Sequence, residues 1–339
     1  MLRTRYQQKA HRPYISPHAP KIQRYFVPVS RIAVVIPTYN NLPELRNCLA
    51  ALSQQTYTDF TAYVCVDGST DGTWEYLEQY SPAFVIPLRH PDGRNRGRNA
   101  ARNLVLPYLS RHEWLAFLDS DSLPLPDWIE QFMRADPSPN EVLLGQILYL
   151  SRDNPNPWTE YLRWRESLRA RRTLHSYHFM TGNALISAQA FSSMGGMDEK
   201  IRRHGLGDVE MGYRLWALGI RFRYVPEAKV WSALQYSPLD VLRRLYDMAQ
   251  HNLPYLHQKH PHSRDEVFGG KWLYHPARKV LLRMILQPSL AQYLLRKLDK
   301  LPPFFQRRAM RYLVLYAVYR GFHRKRLGLP IPKPDRPLP

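Results

Sequence analysis

WLAFLDSDS, Trp114 to Ser122, is an apolar run that stops abruptly on two acids. In an extended backbone, positions i and i+2 point to the same side, so Asp119 and Asp121 project together from the end of a strand over Trp114 to Leu118. Carboxylates that close repel one another unless a positive charge lies between them. A hard divalent cation that shares its shell with a phosphorylated ligand meets that need. A solvated turn after a strand reads the same way locally, because Asp and Ser are common turn formers. The motif therefore takes its meaning from its neighbours.

Upstream, IAVVIP (Ile32 to Pro37) is short and β-branched, as a buried strand should be, and Leu45, Leu49 and Leu52 line one face of a helix over about 42–54. Thr61 to Val66 reads as a second strand, and Gly68 to Gly72 as a turn into a helix through Trp74 and Leu77. Phe84 to Leu88 reads as a third strand, and a helix is expected over about 98–109. Strand and helix thus alternate, which predicts an α/β fold with a parallel sheet wound in the nucleotide-binding manner. Ligands in such sheets sit beyond the carboxyl ends of the strands. The tight polar segments fall at those ends: Thr38-Tyr39-Asn40, Asp67-Gly68-Ser69 and Asp119-Ser120-Asp121. Beyond Asp121 the alternation fades. Helices are expected over 158–172 and 209–218, with short strands at 184–187, 222–225 and 229–231. From Leu239 the pattern is helical, interrupted at Pro254, Pro276, Pro288 and Pro302.

The net charge of +20 at first suggests nucleic acid, but its distribution argues otherwise. Residues 1–30 carry about +6 and residues 237–339 about +14, while 31–236 balance near zero. No known nucleic-acid reader motif organises the arginines, so no nucleic-acid partner is expected. Basic flanks interleaved with Leu, Tyr and Trp fit an anionic membrane surface, on which 279–286 and 309–326 would lie, and they fit as well a helical subdomain packed on the catalytic core with its arginines solvated. No apolar run is long enough to span a bilayer, and no leader-like apolar segment is visible near Met1. Cys48 and Cys65 lack metal or redox spacing and suit a reducing compartment. A cytoplasmic protein, peripheral at the inner face of the plasma membrane, is the expectation. Four regions are expected: a basic arm (1–30), a catalytic domain (31–236, its halves 31–121 and 122–236), a basic helical extension (237–326) and a proline-rich tail (327–339).

Read in order, VVIPTYNN (34–41), VDGSTDGT (66–73), NRGRNAARN (95–103), LDSDS (118–122), TGNALI (181–186), GGMDE (195–199) and GDVEMGYRLWALG (207–219) resemble glycosyltransferase family 2. The resemblance implies a GT-A fold, a Rossmann-like mixed and mainly parallel sheet with helices on both faces, here followed by the basic helical extension. It also implies transfer of a sugar from a nucleotide diphosphate donor, typically UDP-linked, to an acceptor hydroxyl with inversion. The acceptor is expected to be a lipid-linked molecule or a saccharide, as in glycolipid or polysaccharide synthesis.

By that resemblance Pro37, Thr38, Tyr39 and Asn40 line the nucleotide pocket, and Asp67 accepts from the base. Arg102 lies beneath the nucleotide, Asp119 and Ser120 contact the donor, and Gly182 and Asn183 shape the sugar pocket. Asp121, with Asp119, holds Mn²⁺ or Mg²⁺. Asp208 is the candidate general base, although as plainly read it caps the helix that follows. Arg94 and Arg96 read as solvated, whereas Arg98 and Arg102 suit a pyrophosphate. Departures from the family pattern are Val66 before Asp67, Gly207 before Asp208, and Ser232 where a metal-binding histidine is frequent; His204 is a stand-in. These departures leave open a sugar-nucleotide-binding protein with impaired catalysis.

Overall fold

The computed structural model describes residues 30–149, 156–169, 173–232, 236–268 and 270–329. Apart from Ser30, the expected N-terminal arm lies outside these residues, as does the tail from 330 to 339.

An eight-stranded sheet forms the centre, in the order β3-β2-β1-β4-β7-β6-β8-β5. Its strands are β1 (Ile32–Thr38), β2 (Phe60–Val66), β3 (Val85–Arg89), β4 (Trp114–Leu118), β5 (Ser122–Pro124), β6 (Glu141–Tyr149), β7 (Asn183–Ser187) and β8 (Arg221–Ser232). The first four are parallel, β4 meets β7 antiparallel, and β6 pairs in parallel with β8. Alternation along β1 explains why IAVVIP contains no polar residue. Ile32, Val34 and Ile36 pack toward Leu45, Leu49 and Leu52 of helix α1 (Leu42–Leu52). Ala33 and Val35 pack on the opposite face with Ala101 and Val105. Both faces of the sheet are dry, as a parallel sheet requires.

Further helices on the sheet are α2 (Thr73–Tyr80), α3 (Arg98–Asn103), α4 (Trp128–Arg134), α5 (Pro157–Ser167), α6 (Ala188–Ser193) and α7 (Gly207–Ala217). The helix expected over about 98–109 is shorter than that. It stops at Asn103 and gives way to a 3₁₀ turn over Leu106–Arg111, in which Pro107 withholds the amide that an α-helix needs. The two strands expected at 222–225 and 229–231 are one strand. Val225 pairs with Gly145 and Lys229 with Gln146, so Pro226 to Ala228 bulge between them. β6 and α4 had no counterpart in the sequence reading.

Residues beyond β8 build a helical unit: α8 (Pro238–Lys259), α9 (Ser263–Glu266), α10 (Gly270–Tyr274), α11 (Pro276–Ile285), α12 (Pro288–Lys297) and α13 (Pro303–Phe322). Pro276 and Pro288 open their helices, where a missing amide costs nothing, but Pro254 sits inside α8 without ending it. Met310, Leu313 and Ala317 of α13 interleave with Leu242, Ala249 and Leu253 of α8. At Gly321 any side chain would strike the Tyr246 carbonyl, which permits the close crossing. The segment 309–326, expected to lie on lipid, therefore turns one face into the core of this unit. Of its aromatic residues Tyr316 and Tyr319 are buried, at 0% and 1% exposure, and Tyr312 and Phe322 are half-buried.

Candidate active site

The register of the sheet gathers the three polar strand ends. Thr38 lies opposite Val66, and Val35 opposite Phe117, so Tyr39, Asp67 and Asp119 emerge at one edge. Hydrogen bonds lock them together. Asn40, in the left-handed region at φ 47°, accepts from the Thr70 amide at 2.7 Å, while its own amide donates to Ser69 Oγ at 3.1 Å. Asn41 Nδ2 donates to Ser120 Oγ at 3.0 Å, bridging the first and fourth strand ends. Asp71 accepts from the Leu42 amide at 2.9 Å and from Thr73, fastening the second loop to the start of α1.

Asp67 is fully engaged. Its two oxygens accept from the amides of Arg96 at 2.7 Å and Gly97 at 2.9 Å, pinning the loop before α3. Gly68, at φ +72°, lets that loop pass, since a Cβ there would lie 2.4 Å from the Asn95 nitrogen. The expected contact with a nucleobase must share a carboxylate already occupied by the backbone. Asn183 is bonded within the fold. Expected beside the donor sugar, it is 1% exposed. It accepts from Trp128 Nε1 at 2.8 Å and donates to the carbonyls of Gln146 and Ala228 at 3.0 and 2.9 Å. It holds the β6–β8 bulge together with both of its donor hydrogens and one acceptor site engaged.

The acids converge as the sequence reading required. Arg102 from α3 donates to Asp119 at 2.8 Å. Gly182 passes so close that a Cβ would sit 3.3 Å from Asp119 Oδ2. Asp208, in the first turn of α7, accepts from Thr181 Oγ1 at 2.9 Å and from the Thr181 amide at 3.3 Å. Burial raises the Asp208 carboxyl above the usual carboxylate range. Arg102 and Thr181 pull it back and Asp119 adds repulsion, which places all four in one electrostatic neighbourhood. Asp121 is pushed up to about 6 by burial and by Asp119, with Arg98 opposing. Such a pair resists full ionisation alone, and a divalent cation relieves it. Among the described residues no group of three or more His, Cys, Asp or Glu is assembled as a metal cage. A two-carboxylate seat fits Mn²⁺ or Mg²⁺, whose remaining positions go to phosphate and water. Ser232 does not extend the seat, being 4% exposed and paired with Ser122 in the sheet.

A cationic wall faces these acids. Arg98 Nη1 lies 3.2 Å from His204 Nδ1 and also interacts with Tyr236. Although His204 is exposed, desolvation at the crevice wall and the nearby Arg98, Arg244 and Arg102 lower it to about 3, so its ring stays neutral among cations. That surrounding repels a metal and disfavours His204 as a stand-in ligand. Arg244, from α8, stacks over the Tyr236 ring at 4.1 Å. Its Nε and Nη1 are buried with no hydrogen-bond partner, as are Arg102 Nε and Thr38 Oγ1. Orphaned buried donors are rare in folded chains and mark places where a ligand completes the bonding. Arg244 escaped the sequence reading because its helix looked like one more basic amphipathic segment; the Arg243-Arg244 doublet, soon after the last strand, was the available signal. Arg94 and Arg96 are exposed, as Arg98 is, but Arg96 pairs with Asp92 four residues before it rather than with the crevice.

Fold and crevice together define a GT-A glycosyltransferase domain. Residues 33–195 match the model of glycosyl transferase family 2, and residues 165–234 match one described as the N-terminal domain of galactosyltransferase. Residues 33–195 thus carry a glycosyltransferase family 2 domain. It is 30% identical over 223 residues to validoxylamine A glucosyltransferase of Streptomyces hygroscopicus subsp. jinggangensis, covering 57% of this chain and 53% of that protein. It is 26% identical over 230 residues to chondroitin synthase of Pasteurella multocida, covering 57% of this chain and 24% of that one. The chain thus spans about half the length of the first relative and less of the second. Among solved structures, a Pyrobaculum calidifontis mannosyltransferase in complex with GDP-Man and Mn²⁺ superposes with a TM-score of 0.55 at 18% identity, covering 88% of each chain. S. aureus TarS in complex with UDP superposes at 0.50 with 15% identity, covering 86% of this chain and 90% of that one. At these identities the likeness is one of fold.

Proposed function

We propose that this protein transfers a sugar from a nucleotide diphosphate donor to an acceptor hydroxyl in a single inverting displacement. The observation that carries the reading is the meeting of Asp119, Asp121 and Asp208 at one crevice, opposite a wall of Arg98, Arg102 and Arg244. Asp208 takes the proton of the acceptor hydroxyl. That oxygen bonds to the anomeric carbon on the face opposite the nucleoside diphosphate, which departs with the electrons of the broken C–O bond. A carboxyl held above its usual range is a stronger base than a free one. Thr181 fixes its orientation. Asp119 and Asp121 hold the divalent cation, which screens the donor diphosphate and stabilises the leaving group. Arg98, Arg102 and Arg244 neutralise the rest of that charge, Arg being suited to paired phosphate contacts. Thr38 Oγ1 is the free donor on the nucleotide side.

The family resemblance supports a UDP-sugar as donor, and a solved neighbour is a complex with UDP. A saccharide or lipid-linked acceptor is in keeping with relatives named for validoxylamine A and for chondroitin. We place the reaction at the inner face of the plasma membrane, on the basic helical side of the protein. The deciding experiment is a thermal-shift panel of nucleotide diphosphates and their sugars, with and without Mn²⁺. The matching donor raises the melting temperature only with the cation, because a ligand that binds the native form stabilises it by mass action. Donor hydrolysis abolished in Asp208→Asn while that shift persists supports the assigned base. No shift with any nucleotide overturns the proposal.

A further inference from the structure

Ten of the thirteen large hydrophobic residues exposed among the described residues lie between Trp272 and Phe305, so the apolar surface of the protein is concentrated rather than scattered. Helix α11 shows its arrangement best. Only Leu282 of this helix is buried, at 5% exposure, and it anchors α11 to the helical unit. At 3.6 residues per turn, positions two apart point to nearly opposite sides. Val280 and Met284, each two residues from Leu282, therefore face away from the protein, at 61% and 70% exposure. Ala277, Val280, Leu281 and Met284 follow the i, i+3, i+4, i+7 spacing of an apolar stripe. A globular helix turns such a stripe toward the core, and α11 turns it outward. Helix α12 repeats the pattern: Ala291 is buried, and Tyr293, two positions on, is exposed.

The charge around this surface selects the occupant. From Pro276 to Arg311 there are nine Lys and Arg residues and one acid, Asp299, a net +8. A second copy would bring an equal positive charge against it, and the chain's own first thirty residues are also basic, at about +6. An apolar stripe rimmed by Arg278, Lys279 and Arg283 is complementary to anionic lipid, with the stripe among the acyl chains and the guanidinium and ammonium groups at headgroup level. No helix of the described residues is long and apolar enough to cross a membrane, so the association is interfacial.

We propose that α11 and α12 form a monotopic membrane-docking surface, inserted through Val280, Leu281, Met284 and Tyr293 and held by the basic rim. This deepens the membrane setting given above, yet stands apart from the transfer chemistry, because none of these residues lines the crevice.

Flotation of the full chain with phosphatidylcholine vesicles, with and without phosphatidylglycerol, at low and high salt, tests it. The native protein is expected to float with the anionic vesicles, and about tenfold or more weaker with neutral ones or in high salt. Val280→Asp with Met284→Asp is expected to cut binding about a hundredfold, about tenfold for each apolar side chain lost. Its melting temperature and donor hydrolysis in vesicle-free solution should stay at native values, since both side chains are exposed. Cys48 and Cys65 are buried, so a Met284→Cys variant takes an environment-sensitive dye at one site. That dye is expected to shift to the blue with anionic vesicles. Absence of flotation at low salt, native binding by the double Asp variant, or no dye shift overturns the proposal. A dye buried instead by concentration-dependent dimerisation assigns the surface to a second copy and overturns it too. Donor hydrolysis measured without vesicles reads the enzymatic proposal separately.

Discussion

The sheet and the helical unit bury their apolar residues by different rules. Every residue of β1 is buried, with helices on both faces of the strand. In the helical unit, α8 and α13 bury their facing sides as tightly, but α11 leaves nine of its ten residues exposed. A sheet between helix layers has no free side, whereas a bundle whose outermost helices carry apolar stripes ends in an unfinished surface. The two regions are also coupled. Asn252 of α8 donates to the carbonyls of Arg203, His204 and Gly205, the loop that leads to Asp208. Lys259 reaches Asp198 at 2.6 Å and the fully buried Glu210 at 2.8 Å, and Glu210 is also gripped by Arg214. The helical unit therefore holds the segment that carries the base.

The largest expected effect tests the sheet side alone. Asp208→Asn keeps the Thr181 hydrogen bonds in outline and removes the proton acceptor, so transfer is expected to fall about 10²–10⁴-fold. Donor affinity, measured by thermal shift with Mn²⁺, should remain near native. A variant that retains more than about a tenth of native transfer removes Asp208 from the role of base.

A second substitution asks whether the helical unit enters the chemistry of the sheet. Arg244→Ala removes a guanidinium from α8 whose two buried nitrogens lack partners. A charge-assisted hydrogen bond contributes about 1.5–3 kcal/mol, so donor binding should weaken about tenfold or more, with the fold intact. Lys at this position should recover part of it, by restoring charge without the planar fork. Unchanged donor affinity would return α8 to a scaffold role.

How much of this was legible follows from how local each determinant is. Asp119 and Asp121 end an apolar strand, and Thr38 and Asp67 end two more, so spacing along the chain sufficed to predict a shared crevice. The bonding of Asn183 was not legible because TGNALI identifies a segment and not the direction of a side chain; its partners Trp128, Gln146 and Ala228 come from three other places in the chain. β6 was hidden because Gly145 and Gln146 break its apolar run at the bulge that Asn183 closes. The aromatic and basic face of 309–326 looked suited to lipid, yet α8 covers it, while the similar pattern of 279–286 is uncovered. Two helices of like composition differ only in what packs on them, and that is a tertiary fact.

Acid should separate the regions further. His257 and His323, both in the helical unit, are lowered to about 4, by burial first, and then by Arg264 for the one and by Lys279 and Lys325 for the other. They are neutral in the native state, whereas in the unfolded chain they protonate near about 6.5. Between those values the unfolded state binds more protons. Their stabilising contribution is therefore complete above about pH 6.5 and lost as pH falls toward about 4. The melting temperature should drop by several degrees across that window, and His257→Gln should flatten the slope. An unchanged slope in the variant would mean that the acid sensitivity lies elsewhere.

The smallest effect is the most discriminating within the arginine-rich loop. Arg96 gives its backbone amide to Asp67 at 2.7 Å and its guanidinium to Asp92 at 2.9 Å. The first contact is part-buried and holds the loop; the second is an exposed, solvent-screened pair that contributes little. Arg96→Ala deletes only the second, because every residue keeps its amide. The melting temperature should stay at its native value, and donor affinity should change by less than about twofold, as expected of a solvated surface position. Asp67→Asn, which turns one of the two acceptors into a donor facing a backbone amide, should cost more in both measurements. If Arg96→Ala instead weakened the donor as much as Arg244→Ala, the guanidinium would have to swing from Asp92 into the crevice on binding. The cationic wall would then extend to the loop, and the division between solvated and site-facing arginines would be redrawn.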